Sequence, residues 1–409
     1  MNLHHKLKIV NDPIYGFITI PSRLIFELIE HPYFQRLRRI SQMGMSYLVY
    51  PGAHHTRFHH ALGAMHLMQK AVQVLRLKGV AISEGEEEAL YVAILLHDIG
   101  HGPFSHAMEH SIVNSLSHEH ISLLFMERLN RQFNNRLTFA IHIFKNEYPR
   151  KFLYQLISSQ LDMDRLDYLR RDSFYTGVPE GAVNSERLIT MLNVVDDKLV
   201  VEEKAIYSVE KFIVARRLMY WQVYLHKTSL VAEQLLVRVL KRAKELTLQG
   251  TELPASDSLQ FFLKNAVSID SFSEDMLATF AELDDYDIVS ALKSWMKVDD
   301  YVLQNLSKMI LNRDLLKIKL KKKPFSQERI NKERKEFINK HNLSEVDASY
   351  FVFTGEIFNQ AYNMDQETIN LLTNRGKVID VAKASDQLNL EALSKKVVKY
   401  YLCYPKSNY

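Results

Sequence analysis

The 409-residue chain carries a single cysteine, Cys403, so no internal disulfide can form and nothing asks for an oxidising compartment. Its longest apolar run, around Ala89 to Leu96, is far too short to cross a bilayer, and Met1 to Phe17 lacks the apolar stretch of a secretory leader. A soluble cytoplasmic protein with no membrane partner is the expectation. Also missing are a Gly-x-x-x-x-Gly-Lys phosphate loop, a Gly-x-Gly-x-x-Gly dinucleotide fingerprint, fixed-period repeats and low-complexity tracts. Phosphate chemistry here must use another device, and metal ions are the obvious one. An excess of one charge is lacking too. With 52 Lys+Arg against 48 Asp+Glu the net charge is +4, which suits anionic small molecules and leaves nucleic acid a less favoured partner.

Histidine, by contrast, is concentrated. Of 17 histidines, eleven lie between His54 and His120: His54, His55, His59, His60, His66, His97, His101, His106, His110, His118 and His120. The surrounding pattern is helical. After a short strand at Gly16 to Ile20, Ser22 can cap a helix to about Glu30, and further helices are expected at about 32–42 and 57–79. Ser83-Glu84-Gly85-Glu86 fits a capping box opening a helix that carries Ala89 to His97 and stops at Gly100, Gly102 and Pro103. Helices at about 118–130, 136–144, 151–172 and 208–246 follow. Beyond Gly250 the segments shorten, a basic run spans Lys317 to Lys323, and strands are expected near 350–353, 377–381 and 397–404. The fold class predicted is mainly α, with a helical core over residues 1–250 and a smaller mixed α+β lobe over 251–409.

His97-Asp98 sits where an apolar helix meets a Gly-x-Gly-Pro turn, which places an imidazole and a carboxylate side by side at a helix end. Upstream, Arg57-Phe58-His59-His60 opens one helix. Downstream, Asp162, Asp164 and Asp167 punctuate another. Three helices meeting on one ion would supply imidazoles and carboxylates, a mixed donor set that fits iron, manganese, zinc or nickel better than calcium.

In this order the residues resemble the signature of the HD-domain metal phosphohydrolases: His60, then His97-Asp98, then the distant Asp164. Within that group the chain is similar to the dGTPase-like deoxynucleoside triphosphate triphosphohydrolases. The stretches that carry the likeness are Asn11 to Gly16, Phe34 to Arg38, Pro51-Gly52-Ala53, Arg57 to His60, His97 to His106, Ser117-His118-Glu119 and Asp164 to Tyr168, within about residues 8 to 230. The core over 1–250 is then expected to be an HD-domain helical core.

The resemblance implies a divalent metal ion (manganese, iron, zinc, nickel or magnesium) held by His60, His97, Asp98 and Asp164. It places His106 and His118 around the scissile phosphate, with Glu109 in support where a human member of the family has aspartate. The implied reaction splits dNTPs into deoxynucleoside and intact triphosphate, with His106 protonating the leaving 5′-oxygen. Arg57, His101, Arg165 and Arg216 would hold the triphosphate, Arg165 standing where the human member has lysine. Gln42 and Met43 match positions beside the sugar, Met43 being more pliable than the leucine expected there. Tyr168, Asp172 and Tyr224 match positions that meet the 3′-hydroxyl or crowd the 2′ carbon. Lys8, Asn11, Gln35 and Arg38 match positions that bind an activating nucleotide between subunits, and Glu30 stands where an aspartate reads guanine. A homo-oligomer, dimer or tetramer, follows from the same likeness.

Blander roles compete for several of these residues. His54, His55, His59, His66, His110 and His120 read as core or surface histidines, Asp162 and Asp167 as ion-pair partners of Arg165, Arg170 or Arg171 or else as residues that orient a ligand, and the Lys317 to Lys323 run as a solvated face. Two other functions stay open: phosphohydrolysis of another nucleotide or of single-stranded nucleic acid, and nucleotide sensing without turnover.

Overall fold

Two short strands lead into the helical core. β1 (Ile9–Asp12) and β2 (Gly16–Thr19) pair antiparallel, and Asp12 Oδ1 closes their turn by accepting the backbone N–H groups of Ile14 and Tyr15 at 2.9 and 3.0 Å. The computed structural model describes residues 8–105, 107–108, 111–112, 117–268, 271–364, 367–385 and 390–406. Ser22 caps α1 (Arg23–Glu30) through its side chain, as expected. The helix expected over 32–42 is cut short. α2 (Pro32–Gln35) passes into a 3₁₀ turn at Arg36–Arg39, because Ile40 turns extended and Ser41 bridges to Thr56; a second 3₁₀ turn spans Gly44–Leu48.

The centre of the molecule is a helix pair, α3 (Arg57–Leu77) and α4 (Glu84–Leu96), apolar on most of their circumference and so enclosed by other elements. Ser83 and Glu86 form the reciprocal cap that the sequence announces. α5 (His118–Gln132), α6 (Thr138–Phe144), α7 (Lys151–Ile157) and α8 (Met163–Thr176) surround the pair. One helix was expected over 151–172; there are two. Ser158 is extended and Asp162 opens α8 by accepting the Arg165 N–H at 2.7 Å, which places Asp164 in a first turn. α9 (Ser185–Thr190), β3 (Leu192–Val195) and β4 (Lys198–Glu202) precede α10 (Ile206–Met219). The helix expected over 208–246 is also divided, by a π-helical turn at Tyr220–Tyr224, and restarts as α11 (Lys227–Leu248) with His226 as its cap.

Four helices continue the core: α12 (Asp257–Lys264), α13 (Glu274–Phe280), α14 (Asp285–Trp295) and α15 (Tyr301–Leu311). β5 (Lys317–Lys321) contains most of the basic run. Its Lys317, Lys319 and Lys321 are exposed, while Ile318 and Leu320 pack on the core. Next come α16 (Gln327–His341), α17 (Glu345–Ser349), β6 (Phe353–Asn359), β7 (Asn370–Leu372), β8 (Val378–Asp380), α18 (Val381–Ala384), α19 (Leu390–Ser394) and β9 (Val397–Tyr404). The strand expected near 350–353 starts only at Phe353, because residues 350–352 turn back on the end of α17, the N–H groups of Phe351 and Val352 donating to the Ala348 carbonyl. β9 lies between β5 and β6, and β7 pairs parallel with β4, joining residues 370–372 to the earlier β3–β4 hairpin. The fold is thus mainly α, a helical core with a smaller sheet-containing C-terminal region. Among the described residues no helix is long and apolar enough to cross a membrane.

C-terminal residues also brace the turn after α4. Arg36, fully buried, donates to the carbonyls of Leu283 (2.7 Å), Ile99 (3.3 Å) and His101 (2.8 Å). Asp285 accepts the N–H groups of Ser41 (2.8 Å) and Phe104 (2.7 Å). Where α3 crosses α8, Gly63 leaves the needed space: a Cβ there would lie 2.0 Å from Asp167 Oδ1 and 2.2 Å from an Arg171 nitrogen. Gly63→Ala should therefore cost about 1–3 kcal/mol, read as a lower urea midpoint. An unchanged midpoint would show that the two helices separate freely.

Candidate active site

Three helix ends meet at the site. His60 stands in the first turn of α3, His97 caps the end of α4 with Asp98 next to it, and Asp164 stands in the first turn of α8. His60 Nε2 lies 3.4 Å from His97 Nε2, 3.1 Å from Asp164 Oδ1 and 3.8 Å from Asp98 Oδ2. His97 Nε2 lies 3.4 Å from Asp98 Oδ1 and 3.6 Å from Asp164 Oδ1. The other nitrogen of each ring is engaged: His60 Nδ1 donates to Asp167 Oδ2 at 2.7 Å and His97 Nδ1 to the Ile94 carbonyl at 2.6 Å. Both partners can only accept, so in neutral rings both Nε2 atoms are lone pairs, converging with two carboxylates. Such a group of acceptors fits a divalent cation, and two imidazoles with two carboxylates suit a first-row metal.

The ionisation of the cluster shows the same demand for positive charge. Burial opposes an imidazolium at His60, yet Asp164 and Asp167 outweigh it and raise its pKa to about 10. His97 is also raised against its burial, by Asp98 and Asp164. Burial favours neutral carboxyls, but His60 and His97 hold Asp164 well below the carboxylate range, and His97 and Arg57 do the same for Asp98.

A second layer fixes this geometry. Asp167 accepts from Arg171 Nε at 2.8 Å as well as from His60, and Arg171 reaches Asp12 Oδ2 at 2.8 Å. The chain of contacts runs from the N-terminal hairpin to a candidate ligand. The sequence leaves Asp167 open between an ion-pair partner and a residue that orients a ligand; the structure shows both, since it pairs with Arg171 and holds His60. Asp162 does pair with Arg165, at 3.2 Å, and caps α8.

Beside the cluster lies a cavity of about 300 Å³. Gln42, Met43, Arg57, Tyr168, Asp172 and Tyr224 all line it. Asp172 is held on both oxygens, by Tyr224 Oη at 2.8 Å and His55 Nε2 at 2.6 Å, and His55 stacks on the Tyr175 ring at 4.4 Å. His55 is thus a buried support for Asp172, a role its sequence context does not show. Arg57 donates to Asp98 and to Ser105 Oγ, so it holds a candidate ligand in place. Arg165 is drawn back toward the Ser159 carbonyl, 2.5 Å away. The Arg216 Nε is buried with no hydrogen-bond partner. His101, its pKa pushed well down by burial and by Arg57, sits 3.4 Å from Asp98 Oδ1 and stacks on His118 at 3.8 Å. His106 and Glu109 lie outside the described residues. Away from this site, Lys8 lies over the Phe26 ring, Asn11 is exposed on β1, and Gln35 accepts from Arg38 Nε at 2.8 Å.

Residues 57–172 match the HD domain family and residues 183–271 the HD associated region. A phosphohydrolase crystal structure from Bacteroides thetaiotaomicron VPI-5482 is 52% identical, covers 98% of this chain and 100% of its own, and superposes with a TM-score of 0.95. YwfO of Bacillus subtilis is 30% identical over 419 residues, 98% of this chain and 92% of that protein. The deoxynucleoside triphosphate triphosphohydrolase SAMHD1 homolog of Dictyostelium discoideum is 30% identical over 273 residues, which are 62% of this chain and 51% of that one.

Plasma mass spectrometry of protein purified without chelator should find bound divalent metal that a His97→Ala/Asp98→Ala variant has lost; equal content in the two would remove the assignment. Asp167→Asn, which keeps every ligand but weakens the hold on His60, should lower metal affinity roughly 10–100-fold.

Proposed function

The chain belongs to the HD-domain phosphohydrolase family, and from that premise we propose that it is a metal-dependent dNTP triphosphohydrolase, converting dNTPs to deoxynucleoside and inorganic triphosphate. The observation that carries this reading is the adjacency of the His60–His97–Asp98–Asp164 cluster to a cavity walled by Tyr168, Asp172 and Tyr224. In the net reaction water attacks the α-phosphorus, the bond to the 5′-oxygen breaks and that oxygen takes a proton. A divalent cation at the cluster supplies phosphoryl polarisation and a more acidic bound water.

The remaining work belongs to side chains. Arg216, whose buried Nε has no partner, is suited to a phosphate oxygen, and His101, kept neutral by burial and by Arg57, to donating a hydrogen bond rather than adding a second cation. Arg57 shares itself between Asp98 and the triphosphate. Asp172, fixed by Tyr224 and His55, would accept the 3′-hydroxyl, while the Tyr224 ring would crowd a 2′-hydroxyl. His118, stacked on His101, would stand near the scissile phosphate, with His106 the proton donor and Glu109 its support. The same reading extends to a nucleotide effector at Lys8, Asn11, Gln35 and Arg38 in a homo-oligomer.

Purified protein incubated with each dNTP and several divalent metals should release triphosphate, resolved by ion-exchange chromatography. Monophosphate or pyrophosphate would assign the site to a different phosphohydrolase reaction. No turnover under any combination, with or without a second nucleotide as activator, would leave a sensor. Arg216→Ala should raise KM for dNTP by about ten- to a hundredfold, the worth of one charged hydrogen bond.

A further inference from the structure

A strained piece of backbone borders the cavity beside the cluster. Phe104 and Ser105 adopt φ of +50° and +58°, left-handed values that residues with a Cβ rarely take and that glycine takes freely. The same turn uses glycine at 100 and 102, yet it keeps a serine at 105. Two hydrogen bonds hold the strain in place: the Phe104 N–H donates to Asp285 Oδ1 at 2.7 Å and the Ser105 N–H to the Gly102 carbonyl at 3.0 Å. A serine retained where glycine would relax the chain points to a use for its hydroxyl.

That hydroxyl is fully engaged. Ser105 Oγ accepts from Arg57 Nη2 at 2.7 Å and from Arg57 Nε at 3.3 Å, and donates to the Ser41 carbonyl at 3.2 Å, which uses its one donor and both lone pairs. Ser105 and Arg57 are both buried and both line the cavity. Arg57 Nη1 meanwhile donates to Asp98. The guanidinium is therefore held at two places, and the bonds that hold it use three of its five N–H groups. One N–H on each Nη is left for an anion in the cavity.

We propose that Ser105 is a positioning residue that aims Arg57 at a phosphate group of the ligand. This deepens the reading of the preceding subsection, in which Arg57 meets the triphosphate, and it needs only that the ligand carry a phosphate chain. A guanidinium tethered at Asp98 alone would keep the rotamer freedom of its long stem and lose it on binding. The Ser105 hydroxyl removes that freedom beforehand, so the planar fork meets the anion already oriented. Ser105 acts through Arg57 rather than on the ligand, and Asp285, by holding Phe104, keeps the serine in its left-handed conformation. The strain of the turn is then the condition for bringing a short hydroxyl under the Arg57 fork.

The test is calorimetric titration of inorganic triphosphate into the metal-loaded protein, for wild type, Ser105→Gly, Ser105→Ala, Arg57→Lys and the double variant Ser105→Gly/Arg57→Lys, with metal content checked in each. Ser105→Gly and Ser105→Ala should both weaken triphosphate binding about tenfold. Of the two, glycine should give the higher urea midpoint, because it relieves the left-handed strain that alanine keeps. The double variant should bind no more weakly than Arg57→Lys alone, since the serine has no effect once its arginine is gone. With dNTP the loss should appear in KM. Triphosphate affinity unmoved by either serine variant, a glycine variant no more stable than the alanine one, losses that add in the double variant, a loss confined to kcat, or a wild type that binds no triphosphate would each overturn the assignment. Turnover to a product other than triphosphate would strike the dNTP reading instead, and the titrations, which need no turnover, would still decide the role of Ser105.

Discussion

Two imidazole nitrogens 3.4 Å apart, each within about 4 Å of oxygens of both Asp98 and Asp164, are the constraint around which this molecule is arranged. Lone pairs and carboxylates held that close in a buried place repel unless positive charge lies among them. The helix ends that deliver them cannot relax apart, because each is fixed from behind. His60 is held by Asp167, His97 by the last turn of its own helix, and Asp98 by Arg57. Behind Asp167 stands Arg171, fully buried, and behind Arg171 the hairpin residue Asp12. A buried ion chain of this kind contributes little net stability, since desolvation offsets much of its attraction. Its effect is geometric: it sets the orientation of one imidazole.

How much of this could be read from the chain follows from how local each cause is. His97 and Asp98 are neighbours in sequence, Ser83 and Glu86 are three apart, and the order of His60, His97-Asp98 and Asp164 survives any arrangement of the helices. Those features were legible. The breaks at 158–162 and 220–226 were not, because neither segment carries a glycine or proline to mark a stop. What ends α7 and starts α8 is a side chain, Asp162, preferring to cap; helical periodicity does not register that choice. Which ligand Asp167 orients, and what His55 supports, escaped for a different reason. Their partners His60 and Asp172 lie 107 and 117 residues away, and such distances leave no local pattern.

The C-terminal region enters the site indirectly. Leu283 and Asp285 hold the segment from Ser41 to Phe104 through Arg36 and two backbone N–H groups, so the turn carrying Asp98 and His101 is braced by residues far beyond the HD motif. The parallel pairing of β7 with β4 ties the two regions again at another face. A helical core that recurs with different activities can differ in such braces, because they move backbone turns without changing any ligand.

Polar groups around the cluster and its cavity fall into two kinds, and the division says what the site is for. Asp167, Asp172 and Arg57 are each bonded twice or more and so are fixed in position by the protein itself. The Nε2 pair, Arg216 Nε, Ser229 Oγ and Gln42 Oε1 retain unused hydrogen-bonding or ligating capacity in places where water is largely excluded. A protein selected for stability alone would fill such positions with apolar side chains. Keeping them polar costs stability, and the cost is offset when something with the complementary pattern binds: positive charge at the paired nitrogens, an anion at the arginine, and a hydrogen-bonding group between Ser229 and Gln42. The proposed substrate, a nucleotide carried with a divalent cation, would meet these requirements in one molecule.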